Sequence, residues 1–421
     1  MNLQKATLFI CSFLLIGISS CKKDQDNNTN TPKGYDPAKL TQLYSDLGFN
    51  FLGRLDSYEQ ENSQTGNFFL KVFDVREING KLHVAWQSEE NLVANGQTSV
   101  FTYYGYFENK VFQKSDYSPC KGTDVYDIYE TTDELDAQGN IFHSYRFRLA
   151  SEGLWKQGLC SSSGLTVPQF TGMGIENIAW EENNQLISGV GGAYNGLQTI
   201  YLKRYNYVSG VMQEENFTDL EVQPQGFDYQ VTEDNNAFFA YTNLPANSEF
   251  DGNLNLKGFD GVSWINLGSI PTTQIRKFAG VNITNYYEPA KVKFVRNGAE
   301  PWILIFKPNN TLGVFKFDGI SFSKVFDDVP FQTDVANYTG FAIWNNQLVC
   351  NGNSSNLIQN AKNGIYLLEG GSFKLLKTVD DQYATITGVY SNGTKLWATC
   401  EIWSTDNNGT FFSPIDLIEL P

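Results

Sequence analysis

The side chains best suited to acid–base or metal chemistry are scarce or scattered in this chain of 421 residues. There are two histidines, His83 in KLHVAWQ and His143 in IFHSYRF, in separate extended runs. A histidine-activated nucleophile or a two-histidine metal site would need them to meet, and their spacing gives no reason for it. Each reads as a histidine satisfied within a strand pair. Carboxylates are plentiful, 46 Asp and Glu against 30 Lys and Arg. Glycosidase or lyase chemistry needs two of them converging on a cleft, and no pair declares itself. Glu176, Glu181 and Glu182 flank one hairpin, while Asp228, Glu233 and Asp234 occupy the comparable region of another; both groups read as solubilising turns. DELDAQGN (133–140) has the composition of a calcium loop without the D-x-[DN]-x-[DN]-G spacing or a closing glutamate. Phosphate-binding glycine loops, serine elbows and zinc clusters are missing. No metal and no cofactor is expected.

Cysteine and tyrosine supply two further candidates. Cys11 and Cys21 belong to an N-terminal apolar segment, leaving Cys120, Cys160, Cys350 and Cys400. An even number in an oxidising compartment permits disulfides, with three pairings open. Cys350 and Cys400 end similar strings, NNQLVC and GTKLWATC, so near-neighbour pairing stands against buried free thiols. TNYYEPAK (284–291) puts Tyr286 and Tyr287 in what reads as a long inter-strand loop. Two tyrosines there could stack on sugar rings and form a ligand-binding face; the plainer reading is that they cover a rim.

The elements that would carry these residues are strands. Aromatic and β-branched runs are punctuated by Asn-Gly, Asp-Gly and Asn-Asn turns, and helical periodicity is confined to Pro37–Leu47. Two kinds of hairpin alternate. VFDVREINGKLHVAW, VKFVRNGAEPWILIF and GVYSNGTKLWATC represent the first. The second carries a large side chain just past its turn: Phe112, Trp155, Met212, Trp264, Phe322 and Phe373, roughly 43 to 58 residues apart. That interval suits four-stranded propeller blades, each of which buries its faces only against its neighbours. The repeated large residue is then a blade-to-blade packing residue. An N-terminal strand in LGFNFLGRLD (47–56) resembles the outer strand VSWINLGSI (262–270) and would complete the last blade, leaving no open edge. The expected fold is an all-β propeller over 35–421 with seven blades, or six if the segment from Cys120 to Cys160, short of clear strand, makes none.

The chain opens MNLQKATLFICSFLLIGISSCKKD. A short positive start, an apolar stretch and small residues before Cys21 make residues 1–20 a signal peptide. Residues 21–34 are polar and read as a flexible tether. ISSC resembles the lipobox of bacterial lipoproteins, and CKKD followed by Asp26 and Asn27 is similar to the start of many Bacteroidota lipoproteins. The resemblance implies lipid attachment at Cys21 and residence at the outer membrane, on its surface or periplasmic face.

Composition narrows the partners. With 41% hydrophobic and 14% aromatic residues there is ample material for a packed core. A net charge of −16 leaves no basic field for nucleic acid, and attachment to a membrane would come through the lipid. The expected function is a lipid-anchored binding or scaffold module for a polysaccharide or an envelope protein. A glycan-active hydrolase or lyase using carboxylates on the propeller face is the alternative.

Overall fold

The computed structural model describes residues 37–55, 66–92 and 97–114 and, from Val125 onward, the strands named below with their tight turns. Side-chain burial is described chiefly for 38–55, 71–86, 104–114, 292–307, 311–330, 340–352, 362–379, 384–402 and 414–421. The signal segment, Cys21 and the tether lie outside the described residues. The chain divides into two compact units, Met1–Gly34 and Tyr35–Pro421, and every element below belongs to the second.

The fold is all-β, built of four-stranded antiparallel sheets. Helix α1 (Pro37–Asp46) and strand β1 (Asn50–Leu55) come first. The first sheet contains β2 (Gly66–Ile78), β3 (Lys81–Leu92), β4 (Gln97–Glu108) and β5 (Val111–Lys114). The second is β6 (Val125–Leu135), β7 (Ile141–Leu149), β8 (Trp155–Ser161) and β9 (Thr166–Thr171). The region expected to be short of strand therefore carries a complete sheet. The third is β10 (Gly174–Glu181), β11 (Gln185–Tyr194), β12 (Leu197–Val208) and β13 (Val211–Glu214). The fourth is β14 (Pro224–Val231), β15 (Ala237–Asn243), β16 (Asn253–Phe259) and β17 (Trp264–Pro271). A separate hairpin, β18 (Lys277–Gly280) and β19 (Ile283–Tyr287), precedes the fifth sheet. That sheet is β20 (Lys291–Val295), β21 (Trp302–Lys307), β22 (Thr311–Phe317) and β23 (Phe322–Pro330). The sixth is β24 (Phe341–Trp344), β25 (Gln347–Gly352), β26 (Gly364–Glu369) and β27 (Ser372–Thr378). The C-terminal strands are β28 (Ala384–Ser391), β29 (Leu396–Ile402), β30 (Ser404–Thr405), β31 (Phe411–Phe412) and β32 (Ile415–Leu420).

Turn chemistry sets the hairpins. Asn79–Gly80, Asn345–Asn346 and Gly370–Gly371 all have positive φ at both positions, the conformation that matches strand twist in two-residue connections. The first strand of each sheet lies beside the first strand of the next. β2 adjoins β6, β6 adjoins β10, β10 adjoins β14, β14 adjoins β20, β20 adjoins β24, β24 adjoins β28, and β28 adjoins β2.

The cores lie between sheets. Phe238, Leu254 and Ile270 of the fourth sheet meet Phe294, Ile303 and Phe315 of the fifth, with Phe322 packed against them. Trp302, Leu304 and Val314 of the fifth meet Ile343, Cys350 and Tyr366 of the sixth, with Phe373 packed alongside. Phe112 is buried with Trp86 and Phe107 beside Trp397 and Leu417 of the last sheet. Phe112, Phe322 and Phe373 thus serve as inter-sheet packing residues. The side chains of Trp155, Met212 and Trp264 lie outside the described residues.

Sequence-similar positions have a different consequence for the cysteines. Neither Cys350 nor Cys400 is in a disulfide, and both are fully buried. Of the two expectations for this pair, near-neighbour pairing is corrected and buried thiols are what the structure has. Matching places in successive repeats put Cys350 in the core between the fifth and sixth sheets and Cys400 in the one between the sixth and last. Burial pushes the Cys350 thiol up, so it stays protonated. Cys160 lies in β8 opposite His143, and Cys120 lies outside the described residues.

The N-terminal elements are built into the last sheet, whose order is β1–β32–β29–β28. Leu40, Leu43, Tyr44 and Leu47 fall at helical spacing, and Leu40 and Tyr44 are buried. Gly48 at φ +79 ends the helix in the left-handed conformation typical of such caps, with Phe49 N–H donating to the Tyr44 carbonyl at 2.8 Å. β1 then runs antiparallel to β32, from Asn50 opposite Glu419 to Leu55 opposite Ile415. A bulge at Phe51/Gly53 lets the backbone pass so close to the Phe107 ring that a Cβ at Gly53 would strike it. Asp416, fully buried, accepts from Arg54 Nε at 2.6 Å and Arg54 Nη2 at 2.9 Å. Tyr44 Oη donates to the same carboxylate at 3.0 Å. Burial, then the charges of Cys400 and Asp416, push the Tyr44 phenol far above its ordinary range, keeping it a neutral donor.

Candidate functional site

A cavity of about 170 Å3 opens where the first strands of four sheets converge, lined from β2, β20, β24 and β28 and the turns that follow β20 and β28. Strand β2 contributes Asp74, Arg76 and Glu77. A bulge between Val72 and Asp74 breaks the strict alternation there, and bulges commonly re-aim side chains in this way. Val75, between the charged residues, is buried in the core against the last sheet.

Charges of both signs meet in the cavity. Arg296, just past β20, reaches Asp74 of β2 at 3.7 Å, an ion pair between the fifth and first sheets. Tyr390, at the end of β28, donates to the Val72 carbonyl at 3.4 Å. Burial, then the neighbouring Asp74 carboxylate, push its phenol above the ordinary value, so Tyr390 is a neutral hydroxyl donor. Glu77 accepts from Lys395 Nζ at 2.6 Å and from Asn392 Nδ2 at 2.8 Å. The first contact lifts the Lys395 ammonium pKa further.

The turns that hold these residues are cross-braced. Asn392 Oδ1 accepts from the Thr394 and Lys395 amides at 3.1 and 2.8 Å, which fixes the turn carrying Gly393 at φ +94. Asn345 N–H donates to the Gly393 carbonyl at 2.7 Å, and Trp344 Nε1 donates to the Thr394 carbonyl at 2.9 Å. These bonds tie the sixth sheet's turn to the last sheet's. Lys316 pairs with Glu300 at 2.9 Å and donates to Asn346 Oδ1 at 3.2 Å, linking fifth and sixth. The site is therefore assembled on rigid strand ends. Carboxylates that accept, guanidinium groups that donate and a neutral phenol suit a ligand rich in hydroxyl and carboxyl groups.

The residues singled out in the sequence lie elsewhere. Tyr286 and Tyr287 are in strand β19, opposite Phe278 and Lys277, which corrects the expectation of a long loop. β-branched Ile283 and Thr284 and the two tyrosines are strong strand formers and carry Asn285 within the strand. His83 sits in β3, its ring 5.5 Å from that of Tyr106, and its Nδ1 has no hydrogen-bond partner. Burial, then Lys81, lower its pKa. His143 is in β7 of the second sheet, so the two histidines belong to different sheets. Glu176 and Glu181 lie in β10 and Asp228 in β14; Glu182, Glu233 and Asp234 lie outside the described residues. Among the described residues no group of three or more His, Cys, Asp and Glu side chains is placed to hold a metal.

The cavity residues were present in the hairpins quoted above but not distinguished. FDVREING, VRNG and VYSNG each place a charged or phenolic side chain one to three residues before an Asn-Gly turn. Aligning the hairpins on that turn groups Arg76, Arg296 and Tyr390 at one end of the first strands of their sheets.

No family model matches the chain, and no curated protein matches its sequence. Among solved structures it is similar to the β-propeller domain of the Trilobed protease from Pyrococcus furiosus, at 8% identity and a TM-score of 0.48, over 82% of this chain and 94% of that one. It is also similar to Pyrococcus horikoshii acylaminoacyl peptidase, at 10% identity and a TM-score of 0.49, over 82% of this chain and 52% of that one. A third likeness is to Trypanosoma rangeli sialidase, at 8% identity and a TM-score of 0.40, over 88% of this chain and 58% of that one. The chain spans little more than half the length of the last two.

Proposed function

We propose that this chain is a lipid-anchored envelope protein whose seven large sheets are the blades of a closed β-propeller, and that it binds a polysaccharide in the cavity where the first strands of four sheets converge. The single observation that carries the binding reading is the composition of that cavity. Asp74, Arg76, Glu77, Arg296 and Tyr390 gather at the meeting point of the inner strands, whereas the inter-sheet cores are almost wholly apolar. Convergent polar groups in a concave site at the junction of several elements are the usual mark of a ligand site. The ring reading is supported by the unbroken neighbour relation of the seven inner strands and by β1 pairing with β32. In a ring no long edge is left to pair with another chain. Anchoring rests on the signal segment and Cys21.

A hydroxyl-rich ligand fits the mixture of donors and acceptors better than an envelope protein, which would call for a broad exposed apolar patch. The test runs the chain from Lys22 onward through native gels containing plant, host and bacterial polysaccharides, with an assay for new reducing ends. Retardation without new ends is the expected result. New ends would replace the receptor reading with a hydrolase or lyase. No retardation across the panel would leave a protein partner in its place. Anchoring is tested separately. Cys21→Ser is expected to move the protein from the membrane to the soluble fraction and abolish incorporation of labelled fatty acid; a membrane-bound variant would contradict it.

A further inference from the structure

Three residues stand in one row across the second sheet, and we infer that they make Cys160 a reactive thiol whose proton passes to His143. Asp133 of β6 is opposite His143 of β7, and His143 is opposite Cys160 of β8. Thr166 of β9, opposite Cys160, ends the row. Directly opposed residues of an antiparallel ladder share a face, with Cβ atoms about 4.5–5.5 Å apart. The inference goes beyond the binding reading and does not rest on it.

The neighbouring rows set this one apart. On the same face they are Leu135–Ile141 and Thr131–Tyr145, and neither carries a group that ionises near neutrality. Glu134 and Arg146 hold alternate positions and so belong to the opposite face. An acid, a base and a thiol from three separate strands thus share one row between rows that carry no charge.

The order within the row decides what it can do. A thiol attacks only as its thiolate, and an imidazole next to it is a base that takes the proton. The histidine position lies between thiol and carboxylate, the order of a nucleophile, its base and the group that orients the base. A zinc ion fits this order less well. The two outer positions are about 9.5 Å apart at the usual strand spacing, whereas oxygen and sulfur on one zinc stay within about 4.5 Å of each other. The row therefore supports attack on an electrophilic carbon. The sulfur–carbon bond forms, the leaving group departs with the electron pair of its own bond, and the thiol proton rests on His143.

The chain from Lys22 onward is treated with iodoacetamide without reductant, and labelled cysteines are located by peptide mass mapping. The attacking sulfur displaces iodide. At about pH 6 an ordinary thiol, with a pKa of about 8.5, is only roughly 0.3% thiolate. Cys160 is expected to label at least about tenfold faster there than the cysteine of an unstructured tripeptide. His143→Gln is expected to erase that advantage, yet to leave the rate at about pH 9.5 unchanged, because the thiol then ionises unaided. Asp133→Asn is expected to erase part of it, again only at the lower pH. The comparison of the unaltered protein with the tripeptide stands whether or not the variants fold. Labelling of Cys160 no faster than the tripeptide, or Cys160 held in a disulfide, overturns the inference. So does a His143→Gln variant that keeps the advantage, or one that melts like the parent and labels slowly at both pH values.

Discussion

Deletion of residues 37–55 is expected to abolish cooperative folding. The segment supplies α1 and β1, the outer strand of the last sheet. Leu40, Phe49 and Leu55 are buried, and burial of three such side chains is worth about 5–9 kcal/mol together. That equals much of the ~5–15 kcal/mol by which a protein is ordinarily stable. Removing them also bares the ladder of β32, which would then recruit another chain. Size-exclusion chromatography and a thermal melt should show aggregated material without a sharp transition. A monomer melting at the parent temperature would mean that β1 is dispensable, and with it the proposed closure.

The second large effect concerns one buried carboxylate. Asp416→Ala is expected to destabilise the protein by roughly 3–5 kcal/mol, because it leaves Arg54 without its bidentate partner and Tyr44 Oη without an acceptor. Arg54 is only 16% exposed, so water replaces the lost partner poorly. At the usual unfolding entropy per residue, a unit of this length would lose about 4–6 °C of melting temperature. The double change Arg54→Met with Asp416→Leu should recover part of the loss, since an apolar pair carries no desolvation cost. A loss below about 1 kcal/mol for Asp416→Ala, measured by denaturant unfolding, would show that the pair is solvated and contributes no more than a surface bridge.

Local rules make much of the scaffold legible in the sequence. Asn79–Gly80 and Asn345–Asn346 announce their turns because few other residues accept positive φ. LGFNFLGRLD could be paired with the end of the chain because it resembles an outer strand and the last repeat lacked one. Phe112, Phe322 and Phe373 were legible as packing residues because a repeated position implies a repeated interface. The cavity was not legible in the same way. Asp74, Arg296 and Tyr390 come from three sheets, far apart in sequence, and only the neighbour relation of the inner strands brings them together. The cysteines show the opposite error. Similar sequence positions suggested proximity, but repetition moved Cys350 and Cys400 into different cores. TNYYEPAK reads as a long inter-strand loop, yet aromatic residues are also strong strand formers, and Tyr286 and Tyr287 lie in β19.

The central claim, that the cavity at the inner strand ends is the binding site, is tested most directly by hydrogen exchange. The chain from Lys22 onward would be compared with and without the polysaccharide that retards it most. Protection is predicted at residues 74–77, 295–298 and 389–393, the segments that line the cavity. Protection confined to the Lys277–Tyr287 hairpin, with those three segments exchanging as before, would contradict the account and return Tyr286 and Tyr287 to the binding face.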